Sequence, residues 1–466
     1  MNPNTTLGVL TDTDFLLVGM EGGKSALQSI PVLSDMSELG TLFRHAVQVG
    51  LTSVWVMPGT KLSREVSCSF LEQTDSVWEV VTTASQLDPA RPLCASVWRK
   101  VGTGRQGPIL ALTFPEYGRW GWLLPDATTL LATVTYLGQT LGMPVSCSPE
   151  QLALDLFKGL TSGTDASWTR PPTVDLHTLP SSDGQIVPLL ESAQPVVWMR
   201  PLTIAEWRMR YLHKYEHTAP DLEVCTEVQL GAGDPLYSAN GRAYDGNVPG
   251  IWRVKAETAG SVFDGKRLPS CIHGEWMCTP EIKRCTDIAY QVQVMEGYYW
   301  PEAHRTLERW STTLWKALQR LKPTNMTPPR QVQARANAMH TIHVITRLGI
   351  ERLIDKEAPG ELYRPDWWTQ IVGQSRARTF AYLVPLVRRG FMPVLVDRSA
   401  FWFVSSDPNP LTAVSGLLTP EKPGGYKVAY ETPLTLSREI KEAIRTTSNA
   451  DQLATILDAA ARREDR

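Results

Sequence analysis

Several groups of side chains have types and spacings that could do chemistry. Cys271, His273, Cys278 and Cys285 fall within fifteen residues, and all are metal-binding donors. A structural zinc site needs a Cys-x2–4-Cys knuckle, which this spacing lacks. His213 and His217, four apart, could hold a metal together with Glu216, and His340 with His343 could do so on a helix face. Histidine pairs of this kind more often face solvent or hydrogen-bond within a core. Gly19-Met20-Glu21-Gly22-Gly23-Lys24-Ser25 approaches a phosphate loop, but Val18 stands where its first glycine belongs, so a turn is the better reading. The remaining group is cationic. Between Arg330 and Arg398 eleven Lys/Arg stand against six Asp/Glu, and no acid lies among Arg376, Arg378, Arg388 and Arg389. These four form either a solvated helix face or a stripe that grips phosphates. Trp367, Trp368 and Trp402 would serve it as stacking faces or else pack in a core.

The elements that position these groups follow from length and periodicity. A chain of 466 residues exceeds one ordinary core and suggests two or three domains. With 42% hydrophobic and 20% charged residues it has a globular balance, and a net charge of −2 gives no overall attraction for a polyanion. No stretch reaches the ~20 apolar residues of a membrane helix, which excludes a membrane partner and suggests a cytoplasmic protein. Seven cysteines, odd in number and thinly spread, suggest reduced thiols.

Residues 1–165 read as an α/β domain. Phe15 to Val18 and Ile109 to Leu112 are buried-strand runs, and helices are expected after Asp126, stopped by Gly142, and after Ser148-Pro149. The Ser/Gly/Pro-rich stretch 166–200 reads as a linker. A second domain spans 201–435, with a strand from Tyr290, helices over Ala303 to Leu321 and Gln331 to about Ile354, and another after Pro365. Two short amphipathic helices occupy 436–466. The fold class expected is multidomain α/β and α+β.

The most informative run is Pro393-Val394-Leu395-Val396-Asp397-Arg398-Ser399-Ala400-Phe401-Trp402-Phe403: apolar strand, acid at a tight turn, apolar strand. Upstream lies Tyr215-Glu216-His217-Thr218-Ala219-Pro220-Asp221, and downstream Gly424-Gly425-Tyr426-Lys427. Tyr290 to Tyr298, including Glu296-Gly297, adds a further strand. In order and spacing this set resembles the palm of family-B DNA polymerases of the protein-primed type, and more closely polymerase-like proteins of actinobacterial and related mobile elements. The resemblance implies a polymerase-like palm with helical fingers and thumb elements behind an RNase H-type exonuclease-like domain at 1–165. It casts Glu216 and Asp397 as the catalytic, Mg2+-binding carboxylates of metal-assisted phosphoryl transfer. Arg376, Arg378, Arg388, Arg389 and Lys427 become contacts to DNA, with a terminal protein or replication protein as a further partner.

The sequence also departs from that pattern. Ser399 replaces the second hairpin aspartate, Arg398 sets a cation beside the remaining one, and Glu216 stands for an aspartate. Thr341 or Arg347 falls near the place of the phosphate-binding lysine. In the N-terminal part the acids Asp12, Asp14 and Glu21 form no Asp-x-Glu, so the exonuclease-like domain is expected to be inactive. The reading is a DNA-binding, polymerase-like protein for replication or maintenance of a mobile element, with weak or absent catalysis. One alternative is an active Mg2+-dependent polymerase using a minimal carboxylate pair. Another is a scaffold, not an enzyme, that docks a terminal protein or helicase.

Overall fold

A computed structural model of the chain describes residues 127–143, 145, 149–161, 170–190, 195–257, 274–288, 291–324, 326–355, 363–419 and 424–465, together with six strands before residue 114. Asp12, Asp14, Glu21, Lys24, Cys271 and His273 lie outside the described residues. The chain divides into two compact units: residues 1–159 with 313–349, and residues 160–312 with 350–466.

In the first unit, strands β1 (Thr5–Leu10), β2 (Phe15–Gly19), β3 (Ser53–Val56), β4 (Trp78–Thr83), β5 (Ala95–Lys100) and β6 (Ile109–Thr113) form one sheet in the order β2-β1-β3-β6-β5-β4. The pairs β1/β3 and β3/β6 are parallel and the others antiparallel. Helix α1 (Ala127–Leu141) buries Leu130, Val134 and Leu137 at helical spacing. Gly142, at φ +69°, ends it in the left-handed region that only glycine enters freely. Helix α2 (Pro149–Thr161) likewise buries Leu152, Leu156 and Phe157.

Residues 313–349, expected from the sequence in the second domain, belong to this first unit. The reason is packing on α1: the Arg335 guanidinium lies 4.9 Å from the Tyr136 ring centre, and Thr133 Oγ1, which donates to the Thr129 carbonyl at 2.7 Å, comes within 3.4 Å of the Ala334 carbonyl oxygen.

Strands of the second unit are β7 (Val197–Met199), β8 (Tyr211–His217), β9 (Leu230–Gly231), β10 (Leu236–Ser238), β11 (Gly250–Glu257), β12 (Trp276–Cys278), β13 (Gln291–Tyr299), β14 (Ala303–His304), β15 (Leu395–Asp397), β16 (Ala400–Ser405), β17 (Tyr426–Val428) and β18 (Leu434–Thr435). Its helices include α3 (Pro220–Glu227) and α4 (Thr279–Asp287), then α5 (Glu308–Leu321) and α6 (Pro329–Glu351), which cross into the first unit, and α7 (Pro365–Arg388), α8 (Arg438–Thr446) and α9 (Ala450–Glu464). The main sheet runs β17-β8-β16-β15-β7, antiparallel throughout, with β18 also on β8.

Alternation along these strands sends side chains to two cores. Tyr215, Val396, Phe401 and Phe403 pack with Ile282 of α4 and Phe380, Leu383 and Val384 of α7. Leu212, Leu395 and Trp402, on the opposite face, pack with Ile440 and Ile444 of α8 and Leu453 and Leu457 of α9. The expected linker is therefore not a loose connection. Leu176, Leu179, Val187 and Leu189 pack against Ile251 and Tyr298, and β7 supplies an edge strand. Residues 303–304, expected as the start of a helix, instead pair with β9, a non-local contact that helical periodicity cannot reveal.

Candidate carboxylate site and nucleic-acid surface

The expected hairpin forms, with Asp397 opposite Ala400 across the two-residue turn Arg398-Ser399. Arg398 sits at φ +52°, a left-handed conformation that disfavours residues with a Cβ, and its backbone N–H is held by the Val196 carbonyl at 2.8 Å. On the next strand Ala400 faces Glu216, which in turn faces Lys427. Cross-strand partners share a face, so Asp397, Ala400, Glu216 and Lys427 form one row. With one strand between them, the Asp397 and Glu216 backbones stand roughly 10 Å apart.

Two cations lie among these acids. Lys214, two residues before Glu216 and hence on its face, places Nζ 2.8 Å from Glu216 Oε1 and 2.8 Å from Asp458 Oδ1 of α9. Its residue is 8% exposed, with Nζ 5.6 Å from the Trp402 ring centre. Burial works against its charge, but Glu216 and then Asp458 outweigh it and raise its pKa above the ordinary value. Arg398 bonds Asp397 Oδ1 at 3.1 Å and Asp451 Oδ1 of α9 at 3.3 Å. Burial is the larger influence on Asp397 and raises its pKa, against Arg398 and Lys214.

Each carboxylate of the pair is thus satisfied by a protein cation. The described residues contain no group of three or more His, Cys, Asp and Glu arranged to hold a metal. As arranged, the donors do not fit Mg2+, which requires oxygen ligands at about 2.1 Å in near-octahedral array and no competing cation.

The histidines take the core and solvent-facing roles expected of such pairs. His213 and His217 lie on a strand, with Glu216 on the opposite face, so the three cannot share an ion. Both are buried; His213 Nε2 meets the Asp407 carbonyl at 2.9 Å. His217 is wedged between Tyr382 and Tyr426, its pKa pulled down to about 3 by burial and then by Arg378. His340 and His343 are exposed on α6, and the nearby Thr341 is buried with Oγ1 bonded to the Asn337 carbonyl at 2.9 Å.

The arginine stripe divides. Arg376 is 6% exposed and ion-paired with Glu281 at 2.8 Å, so it is a structural cation and not a solvent-facing one. Arg378 is partly buried against Glu227. Arg388 and Arg389, at the end of α7, are exposed, with Arg389 bonding Ser415 Oγ at 3.0 Å. Lys427 is exposed on β17. Two of the three tryptophans are core residues: Trp402 is fully buried and Trp367 donates Nε1–H to the Gly231 carbonyl at 2.8 Å under the Arg364 guanidinium, whereas Trp368 is half-buried. Among the cysteines, Cys225 and Cys278 are buried thiols whose pKa burial pushes well up, whereas Cys285 takes part in a disulfide, contrary to a wholly reduced set.

Lys214, Asp451 and Asp458 were missed from sequence. Lys214 alone carried a signal, the period of two that sets it beside Glu216.

Neither a family model nor a curated protein matches the chain. Among solved structures it is similar to phi29 DNA polymerase complexed with primer-template DNA and incoming nucleotide, at TM-score 0.51 and 9% identity, covering 92% of this chain and 84% of that one. Weaker matches are phi29 DNA polymerase with single-stranded DNA, at TM-score 0.46, 10% identity, 91% of this chain and 84% of that one, and its orthorhombic crystal form, at 0.45, 9%, 93% and 86%. At such identity the likeness is one of fold: the chain has a polymerase-like fold. Among the described residues no helix is long and apolar enough to cross a membrane.

Proposed function

We propose that this chain is a DNA-binding, polymerase-like protein of replication or mobile-element maintenance whose carboxylate pair holds the fold together and leaves catalysis weak or absent. The observation that carries the second half is Lys214, whose ammonium lies 2.8 Å from both Glu216 and Asp458, where a divalent cation would have to sit. The first half is supported by the shared fold with a polymerase described in complex with DNA. Arg388, Arg389 and Lys427 are the phosphate contacts, being the exposed members of the expected set. An exonuclease-like domain at 1–165 without activity of its own and a terminal or replication protein partner belong to the same proposal.

A minimal Mg2+-dependent polymerase remains the competing reading because Glu216 and Asp397 do share a sheet face. The two are separated by measuring anisotropy of a labelled primer-template at low salt alongside Mg2+-supported primer extension. The expected result is saturable binding, weakened about tenfold or more in the triple variant Arg388→Glu/Arg389→Glu/Lys427→Glu with a shallower salt dependence. No extension is expected beyond that of Asp397→Ala. Unchanged binding in the triple variant refutes the DNA surface; extension abolished by Asp397→Ala refutes the non-catalytic reading.

A further inference from the structure

A cavity of about 320 Å³ opens in the second unit among the loop Gly246–Pro249, α4 and the first half of α7. None of Lys214, Glu216, Asp397 or Arg398 lines it. Helices α4 and α7 pack under the sheet face opposite to the one those residues occupy, so the cavity is a separate feature.

Its charge is unbalanced. Lys283, Arg284, Arg305 and Arg378 border it against Glu227 and Asp287, four positive charges less two negative, leaving an excess of two. Arg378 engages Glu227 and Arg284 lies 3.5 Å from Asp287. Lys283 Nζ donates to the neutral Asn247 Oδ1 at 3.1 Å, and Arg305 is exposed. The surplus therefore sits on Lys283 and Arg305.

A second observation is independent of charge. Arg284 Nε, Arg378 Nε and Gln370 Oε1 are buried and have no hydrogen-bond partner among the described residues. Gln370 is 1% exposed, and its Nε2 donates to the Gly250 carbonyl at 3.0 Å, which fixes the amide orientation and leaves Oε1 as an acceptor without a donor. Orphaned buried polar atoms are costly, and three around one cavity call for a ligand. That ligand needs anionic oxygens for the two Nε–H groups and the surplus cations, and an N–H or O–H for Gln370. A phosphate supplies the first requirement; a sugar hydroxyl or base amino group supplies the second. The volume is near the lower end of small-molecule sites, ~300–1,000 Å³, which suits one nucleotide unit.

We propose that this cavity binds a single phosphorylated nucleoside, presented as a free mononucleotide or as the 5′-phosphorylated end of a strand. The test is isothermal titration of the full chain with a deoxynucleoside monophosphate, with inorganic phosphate, and with short oligonucleotides bearing a 5′-phosphate or a 5′-hydroxyl. The nucleotide is expected to bind more tightly than inorganic phosphate, and Lys283→Glu/Arg305→Glu to weaken it about tenfold or more with an unchanged melting temperature, both side chains being exposed. In Gln370→Met the advantage of nucleotide over inorganic phosphate should shrink while phosphate affinity persists. A stronger response to the 5′-phosphorylated than to the 5′-hydroxyl oligonucleotide assigns the ligand to strand ends, and a preference for the monophosphate assigns it to the free nucleotide. The proposal is overturned if no phosphorylated probe binds saturably up to about 10 mM, if the charge-reversed variant binds as the parent does, or if inorganic phosphate matches the nucleotide.

Discussion

Replacing Lys214 by methionine removes the cation between Glu216 and Asp458 while keeping a chain that can lie along Trp402. Stripping one partner from a fully buried ion pair costs about 3–5 kcal/mol, because the remaining charge stays desolvated. Here the acids are not sealed: the Glu216 side chain is 37% exposed and that of Asp458 21%, so water recovers part of the loss. Discounted accordingly, Lys214→Met should destabilise the second unit by roughly 2–3 kcal/mol. For a unit of this size that lowers the melting temperature by roughly 4–12 °C. Removing the second charge as well, in Lys214→Met/Asp458→Leu, should restore half or more of the loss, since an apolar pair can replace an ionic one. The sign of the pH dependence is also fixed. A lysine whose folded pKa is raised above 10.5 contributes fully below that value and loses its contribution as pH rises through the higher folded value. The difference between parent and variant should therefore be flat through neutrality and, on the alkaline side, close only in strong alkali. Urea unfolding followed by circular dichroism measures it; a single variant within about 0.5 kcal/mol of the parent would refute the claim that Lys214 joins sheet to helix.

Two further outcomes follow from buried groups. His217 has its pKa depressed from 6.5 to about 3, so the folded state resists protonation, and stability should be whole above 6.5 and fall as the pH drops toward 3. Between about pH 6.5 and 4.5 the loss should reach about 2–3 kcal/mol, and His217→Phe should flatten that limb of the urea-midpoint profile even if it lowers the plateau. Gly425 lies where an added Cβ would collide with the Thr419 carbonyl, so Gly425→Ala should cost about 2–4 kcal/mol by disturbing the pairing of β17 with β8, read as a lower urea midpoint.

How far the sequence was legible depended on the range of the contacts. The hairpin around Arg398 was readable because two apolar runs flank a two-residue polar turn, α7 because Pro365 opens its first turn, and α8 and α9 because capping residues and 3.6-residue spacing are local signals. Arg376 looked like a surface cation because no acid is near it in sequence; its partner Glu281 arrives from α4 through tertiary packing. Trp367 and Trp402 take the core alternative for the same reason, since burial by distant elements leaves no periodic mark on a short run. The helical placement of His213 and His217 failed differently. Four-residue spacing was read with a helical period, whereas β8 is a strand that places His213 and His217 in one core and Lys214 with Glu216 toward the other. The correct period would have brought out the Lys214–Glu216 pair before any coordinates.

The two ion pairs on the carboxylate face are unequal, and the inequality locates what governs its chemistry. Arg398 and Asp451 are 61% and 58% exposed, so their bridge is screened by water and salt and opens at little cost. Lys214, with a side chain 7% exposed and held by two carboxylates and two aromatic rings, has no such freedom. Ser399, at the turn where the polymerase resemblance would put an acid, offers no carboxylate but places no obstacle. Lys214 removes a ligand and places an obstacle: it consumes Glu216 and ties the strand to α9, so that admitting a divalent ion would mean expelling a buried ammonium and loosening the C-terminal helix. Introducing an aspartate at residue 399 alone should therefore leave the face without metal affinity, because the competing charge lies two positions along a different strand.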